Sequence, residues 1–450
     1  MTDTRSLWRG RSLAFVGIVL VAFSLRSAVA SLSPILAEVR ADFDVPTGIV
    51  GLIGAAPPVC FAVFGIVTPA LERRFGLEAL ATASMVVAAA TMVVRALAGD
   101  AIVLLISTAV LFAAVGVGNV VLPPLIKKYF PDRIGMMTGL YSSLLAVAAF
   151  VPPLVAVPVA DAAGWRFSLG LWAVFAIAAI VPWVAQIAVL RRPADGPTDT
   201  SAAAAGAGAT TGASVTGDAP DDAPAGDATG TDPDLTPHAP GVEEPAPQVL
   251  GRLLRIPLAW ALAMTFAISS ASVYACFAWL PVVLVDMSGV SHAAAGALLS
   301  LFGAMGLPWS ILVPIAITRS DRIGYIYLIA VVTGLVGVVG MVFFPTTATV
   351  LWVVLLGVPQ GLFPAVLVLI QRRTRTHEGA VALSSFSQSG GYAIAAIFPI
   401  AFAALHEATG GWEAAIGSFG LLFLLAIPAG IIVARTKTLE EEWEKRHGAW

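Results

Sequence analysis

Charge is scarce in this sequence. Asp, Glu, Lys and Arg make up 12% of its 450 residues, about half the ~25% of an ordinary soluble domain. What charge there is avoids the apolar runs. Glu38, Asp161, Asp286 and Glu413 stand at one set of run ends, Glu72 and Glu78 at the other, and none of the five histidines is internal. Buried carboxylates and histidines commonly carry protons through membrane-embedded chains, so their absence argues against a proton-driven exporter of that kind. No run holds paired carboxylates or a His/Asp cluster, which argues against a membrane-embedded enzyme. The phosphate-cradling pattern G-x-x-x-x-G-K-[ST] is missing, which argues against primary ATP-driven work. The two cysteines, Cys60 and Cys276, both lie in apolar runs and read as small buried hydrophobes rather than a disulfide framework. No metal and no cofactor are expected, and neither is a nucleic-acid partner.

What is present is apolar length. Hydrophobic residues make up 58% and the mean hydropathy is +0.89. About 20 apolar residues cross a ~30 Å hydrocarbon core as a helix. Runs bounded by charge or turn residues predict twelve such helices, near 12–34, 48–70, 78–98, 101–126, 136–160 and 166–190, then 257–283, 293–317, 325–345, 349–370, 381–404 and 412–434. The first begins near Leu13 with no A-x-A-like cleavage site, so a retained helix is expected rather than a signal peptide. With both termini on one side, 21 of the 25 Lys and Arg fall on that side, which predicts cytoplasmic termini in a cell inner (plasma) membrane.

Residues 193–250 are of another composition. They are rich in Ala, Gly, Thr, Pro and Asp, lack Lys and Arg, and hold ten of the 28 acidic residues. Such a segment buries too little apolar surface to offset its ordering entropy, so a disordered acidic cytoplasmic linker is expected. It separates six helices (1–192) from six (251–450). The halves also match. GVGNVVLPPLI at 116–126 answers GVPQGLFPAVL at 357–367, RFG at 74–76 answers RIG at 322–324, and GWRFSL at 164–169 answers GWEAAI at 411–416. The offsets stay between 241 and 248 residues. A duplicated six-helix unit follows, an organisation that places a substrate site between the halves near the membrane midplane.

Candidate site residues are polar groups placed where polarity costs energy. Arg26, in LVAFSLRSAVASL, has no Asp or Glu within ten positions on either side. A charge at a helix centre costs at least ~2.5 kcal/mol, so it faces a polar cavity. Its stripe, Ala22, Ala30 and Ser33, is small and leaves room for a solute; the bland alternative is an arginine that caps backbone carbonyls. Arg95 and Arg166 read as residues near outer helix ends. Asn119 and Gln360 stand at matching positions of the repeat, four residues before Pro123 and Pro364, and each proline bends a helix and frees a carbonyl one turn back. A packing hydrogen bond is their alternative. Tyr274 shares a stripe with Ser270, Phe277 and Pro281. Trp279 reads equally as site or as interface belt. Gln388 shares a face with Ser384, Ser385 and Tyr392 and reads as cavity wall. Tyr141 and Ser142 suit an inner gate. Asp321 and Arg322 belong to the DRIG loop, which is expected to hold one conformation of an alternating cycle. Lys127, Lys128 and Arg372–Arg375 read as loop charges.

Twelve spans, the six-plus-six duplication, the long middle linker and the loop signature LERRFG (71–76) with DRIG (321–324) resemble the major facilitator superfamily. Within it, SLRSAVASLSPIL (24–36), GNVVLPPLIKKYFP (118–131), MTGLYSSLL (137–145), AWLP (278–281) and SFSQSGGYAIAA (385–396) resemble the cyanate-porter family of cyanate and 2-nitroimidazole transporters. The resemblance implies an all-α polytopic membrane protein of two pseudo-symmetric six-helix bundles. It also implies a secondary transporter of a small, anionic or polar solute, working as a monomer in the lipid bilayer. Efflux of a neutral, planar, drug-like compound is the alternative, and a non-transporting membrane solute sensor is an alternative of another class.

Overall fold

The computed structural model describes residues 11–190, 247–319, 323–435, 438–448 and 450, and every regular element among them is helical. Twelve helical stretches are long and apolar enough to cross a membrane. Spans 1 to 6 are Ser12–Asp42, Thr47–Phe75, Leu77–Ala96, Ala101–Tyr129, Met136–Ala163 and Trp165–Val189. Spans 7 to 12 are Pro257–Ser288, His292–Arg319, Ile323–Phe343, Thr349–Arg372, Glu378–Thr409 and Glu413–Arg435. The expected helices are all present. Several run past their apolar limits, span 1 furthest: it turns through a short 3-10 segment at Ser33–Ile35, with Pro34 opening it, and continues to Asp42. The linker reading falls mostly on 193–246, outside the described residues. Residues 247–250, placed in that linker by composition, instead begin the helix Pro247–Leu253, where Val249 is buried.

Below, the end of the molecule carrying Arg11, Lys128, Arg252 and Arg319 is called the basic end, and the opposite one the far end. The GW repeat makes the same contact twice at the far end. The indole of Trp165 donates to Asp42, and that of Trp412 donates to Asp286, both at 2.8 Å. A buried indole N–H needs an acceptor, and in each case the end of the same half's first span supplies it.

The first six and last six spans touch most closely at the far end. Glycines make this possible. A Cβ on Gly51 of span 2 would stand 3.1 Å from Ala403 of span 11, and one on Gly54 would stand 2.7 Å from Ala278 of span 7. A Cβ on Gly296 of span 8 would stand 2.8 Å from the Pro153 carbonyl of span 5. Small residues let membrane helices pack backbone to backbone. Toward the basic end, Gly139 of span 5 and Gly390 of span 11 face open space.

Prolines shape the spans differently. Span 4 runs unbroken through Pro123 and Pro124. Span 10 breaks into a helix at Thr349–Gly357, a 3-10 turn at Val358–Gly361 and a second helix at Leu362–Arg372. Pro364 cannot donate to the Gln360 carbonyl, and the Ser269 hydroxyl of span 7 donates to that oxygen instead, at 3.4 Å.

Candidate functional site

Arg26 projects from the middle of span 1 into the seam between the first and last six spans. Its Nη1 donates to the Tyr274 hydroxyl of span 7 at 3.3 Å. Tyr141 of span 5 and Tyr392 of span 11 also lie within electrostatic range of the guanidinium. No carboxylate pairs with it among the described residues. The residue is half-buried.

Around Arg26 the walls are aromatic. Phe61 of span 2 packs edge-on against Tyr274 (centroids 6.2 Å) and Tyr392 (5.4 Å), and the two tyrosine rings lie 6.3 Å apart. Asn119 enters this group through Tyr141, whose hydroxyl donates to Asn119 Oδ1 at 3.2 Å. Tyr141 therefore joins the Arg26 group. Gln388 stands one turn from Tyr392 on span 11, its amide donating to Ser384 Oγ at 2.8 Å. Pro123 is exposed on span 4, and Pro364 is half-buried on span 10. Asp321 and Arg322 lie outside the described residues.

Two sequence candidates are turned away from Arg26. Trp279 is only five residues from Tyr274, which at about 100° per residue puts it on another helix face. It is 1% exposed, donates from its indole to the Pro399 carbonyl at 3.1 Å, and packs against Phe402 and Trp412. That is neither a lipid-interface belt nor a wall of the Arg26 group. Gln360 is committed to span 8. Its amide donates to the Phe302 carbonyl at 2.8 Å, next to the break of that helix at Met305. Its counterpart Asn119 has Gly118 before it, whereas Gln360 follows Pro359, which opens the 3-10 turn. One proline rotates the repeat's second copy out of the seam.

Sequence reasoning missed Arg95. Four residues from Gly99, it reads as a helix-end charge, yet it is 2% exposed, and its Nη1 donates to the Ala28 carbonyl of span 1 at 3.0 Å. Lys128 also differs from its reading as a loop charge: it donates to Glu78 of span 3 at 2.5 Å, and Tyr129 donates to the same carboxylate oxygen at 2.6 Å.

The arrangement is rich in donors. A fixed cation and three tyrosines are grouped with no carboxylate among the described residues to bind a cation or accept a proton. It suits a ligand that accepts hydrogen bonds and carries negative charge. A group of three or more His, Cys, Asp or Glu able to hold a metal ion is absent among the described residues.

The chain is 28% identical over 443 residues to a 2-nitroimidazole transporter of Escherichia coli, covering 98% of this chain and all of that one. It is 23% identical over 400 residues to the cyanate transport protein CynX of the same organism, covering 88% and 90%. It is also 26% identical over 438 residues to the uncharacterized transporter YycB of Bacillus subtilis, covering 96% of each. The fold is similar to a bacterial homologue of the human lysosomal transporter Spinster, solved inward-facing and unoccupied. That match has a TM-score of 0.69 at 13% identity over 95% of this chain and 98% of that one. The Major Facilitator Superfamily model matches residues 18–399. This multi-pass membrane protein therefore belongs to the major facilitator superfamily, whose members are transporters and not enzymes.

Proposed function

We propose that the chain is a secondary-active, alternating-access transporter of a small anionic or acceptor-rich polar solute, such as a cyanate- or nitrate-like anion or a nitroheterocycle. Arg26 is its cationic anchor. The observation that carries this reading is a half-buried guanidinium bonded to Tyr274, without a carboxylate among the described residues. Guanidinium stays charged at any physiological pH and presents a planar fork that matches two acceptor atoms side by side. The similar proteins named for cyanate and 2-nitroimidazole support the same chemistry, since cyanate and a nitro group both offer electron-rich acceptors. In a medium of low effective dielectric, one such contact contributes several kcal/mol.

In this reading residues 1–192 and 247–450 form two bundles that rock about the solute, joined by 193–246, and the protein works as a monomer. The basic end faces the cytoplasm of a cell inner membrane. The far-end glycine contacts then close the outer face while the Arg26 chamber communicates with the inner one. Asn119, Tyr141, Tyr274 and Gln388 line the path. A second reading, a neutral planar compound stacked among Phe61, Tyr274 and Tyr392, is favoured by the aromatic walls.

Thermal shift of the purified protein tests the choice. Cyanate, nitrate and 2-nitroimidazole are expected to raise the unfolding temperature of the wild type and not of Arg26→Ala, while tetramethylammonium raises neither. Equal stabilisation of both proteins by 2-nitroimidazole, with none from the anions, would favour the neutral reading.

A further inference from the structure

On the far-end side of Tyr274 lies a mostly apolar pocket that Arg26 does not line. A cavity of about 30 Å³ is lined by Arg95, Ser33, Tyr274, Phe112 and Phe277, among others. Arg95 Nε and Ser33 Oγ are both buried without a hydrogen-bond partner, and the two residues are 2% and 7% exposed. They come from separate spans, 3 and 1. The remaining lining is almost wholly apolar, with no carboxylate in it.

Each of these features carries a cost that a ligand would remove. A buried donor left without a partner forfeits its hydration with nothing in exchange. A buried cation without a counter-charge costs more. The Ala28 carbonyl takes one N–H of Arg95 but supplies no negative charge. A water would satisfy the donors and leave the charge uncompensated. Only an anion meets both needs. The volume sets its size: one water needs at least ~10–15 Å³, so this space takes a monatomic ion or a linear or planar anion of a few atoms, and no aromatic ring.

We propose that Arg95 and Ser33 form a binding site for one small monovalent anion, a halide or pseudohalide, separate from the Arg26 site and divided from it by Tyr274. Tyr274 is common to the two: its hydroxyl accepts from Arg26, and the residue lines the Arg95 cavity. An anion at Arg95 therefore sits where a solute released from Arg26 toward the far end would pass, or where a resident halide would balance the second cation. The proposal holds whether the Arg26 chamber takes an anion or a neutral solute.

The test is crystallographic, on the full chain grown in sodium bromide, with the anomalous signal of bromide as readout. A peak between Arg95 and Ser33 is expected in the wild type and in Arg26→Ala. Ser33→Val, which fills the cavity and leaves the Arg95–Ala28 bond in place, is expected to abolish it, as is Arg95→Gln. Soaking with cyanate assigns the source: loss of the peak marks the cavity as a station for the transported anion, and persistence marks a resident halide, and both uphold the site. No peak in well-ordered wild-type crystals, or a peak that survives Ser33→Val, overturns it. Normal transport by Arg26→Ala would overturn the Arg26 reading and leave this one standing.

Discussion

Arg26 of span 1 donates to the Tyr274 hydroxyl of span 7 at 3.3 Å, joining residues 248 positions apart. The bond crosses from the first six spans to the last six. Any motion that separates the two sets changes the surroundings of the guanidinium. A solute that replaces or bridges this contact binds one arrangement of the spans more tightly than another, and that difference is what shifts a conformational equilibrium. In the proposed function this hydrogen bond is where binding and movement are coupled.

Tyr274→Phe isolates that bond. The ring contacts with Phe61 and Tyr392 remain, and only the hydroxyl is lost. A hydrogen bond to a charged group contributes about 1.5–3 kcal/mol. KM for the solute is expected to change by roughly ten- to a hundredfold, with membrane insertion retained. An unchanged KM would place Tyr274 outside solute recognition.

Gly296→Val tests the far-end closure. The added side chain would meet the Pro153 carbonyl, already 2.8 Å from a Cβ alone, so the closed far end is expected to be disfavoured. Spin labels at Asp44 and Glu407, exposed on opposite sides of the seam, should move apart in the variant. Identical distance distributions in variant and wild type would show that this contact does not govern closure.

Trp279 serves as a control for the site assignment. Trp279→Phe removes the donor to Pro399 and part of a buried ring stack. A loss of about 1–3 kcal/mol of stability follows, read as a lower unfolding temperature. Solute KM should stay within about twofold of wild type, since ~0.4 kcal/mol corresponds to a factor of two. A large KM change would return Trp279 to the site.

Solute binding is expected to vary little from about pH 6 to about pH 8. Arginine and tyrosine side chains ordinarily titrate at or above about pH 10, and no histidine or carboxylate meets the Arg26 group among the described residues. A steep pH dependence of Kd for a strong-acid anion such as nitrate would reveal a titrating partner that this account lacks.

The spans were legible because hydropathy and basic loops report depth in a membrane directly, while the GW match marked a duplication whose paired Trp165–Asp42 and Trp412–Asp286 contacts only the structure shows. Arg26 was legible for the same reason, as a cation at mid-depth. Depth is not azimuth, however. Arg95 stands near a helix end in sequence, yet its long side chain reaches back under Ala28. Trp279 lies at a suitable depth on the wrong face. Gln360 has the right repeat position, but Pro359 turns it toward Phe302. The last two departures are matters of which helix face a residue occupies, which a linear pattern of apolar residues records only weakly.

The anchor role of Arg26 is tested most directly by counterflow of labelled cyanate in proteoliposomes holding equal amounts of correctly inserted wild type, Arg26→Ala and Arg26→Lys. The account predicts saturable counterflow in the wild type, none above empty liposomes for Arg26→Ala, and weak activity for Arg26→Lys, which keeps the charge and loses the planar fork. Counterflow by Arg26→Ala at the wild-type rate would contradict it.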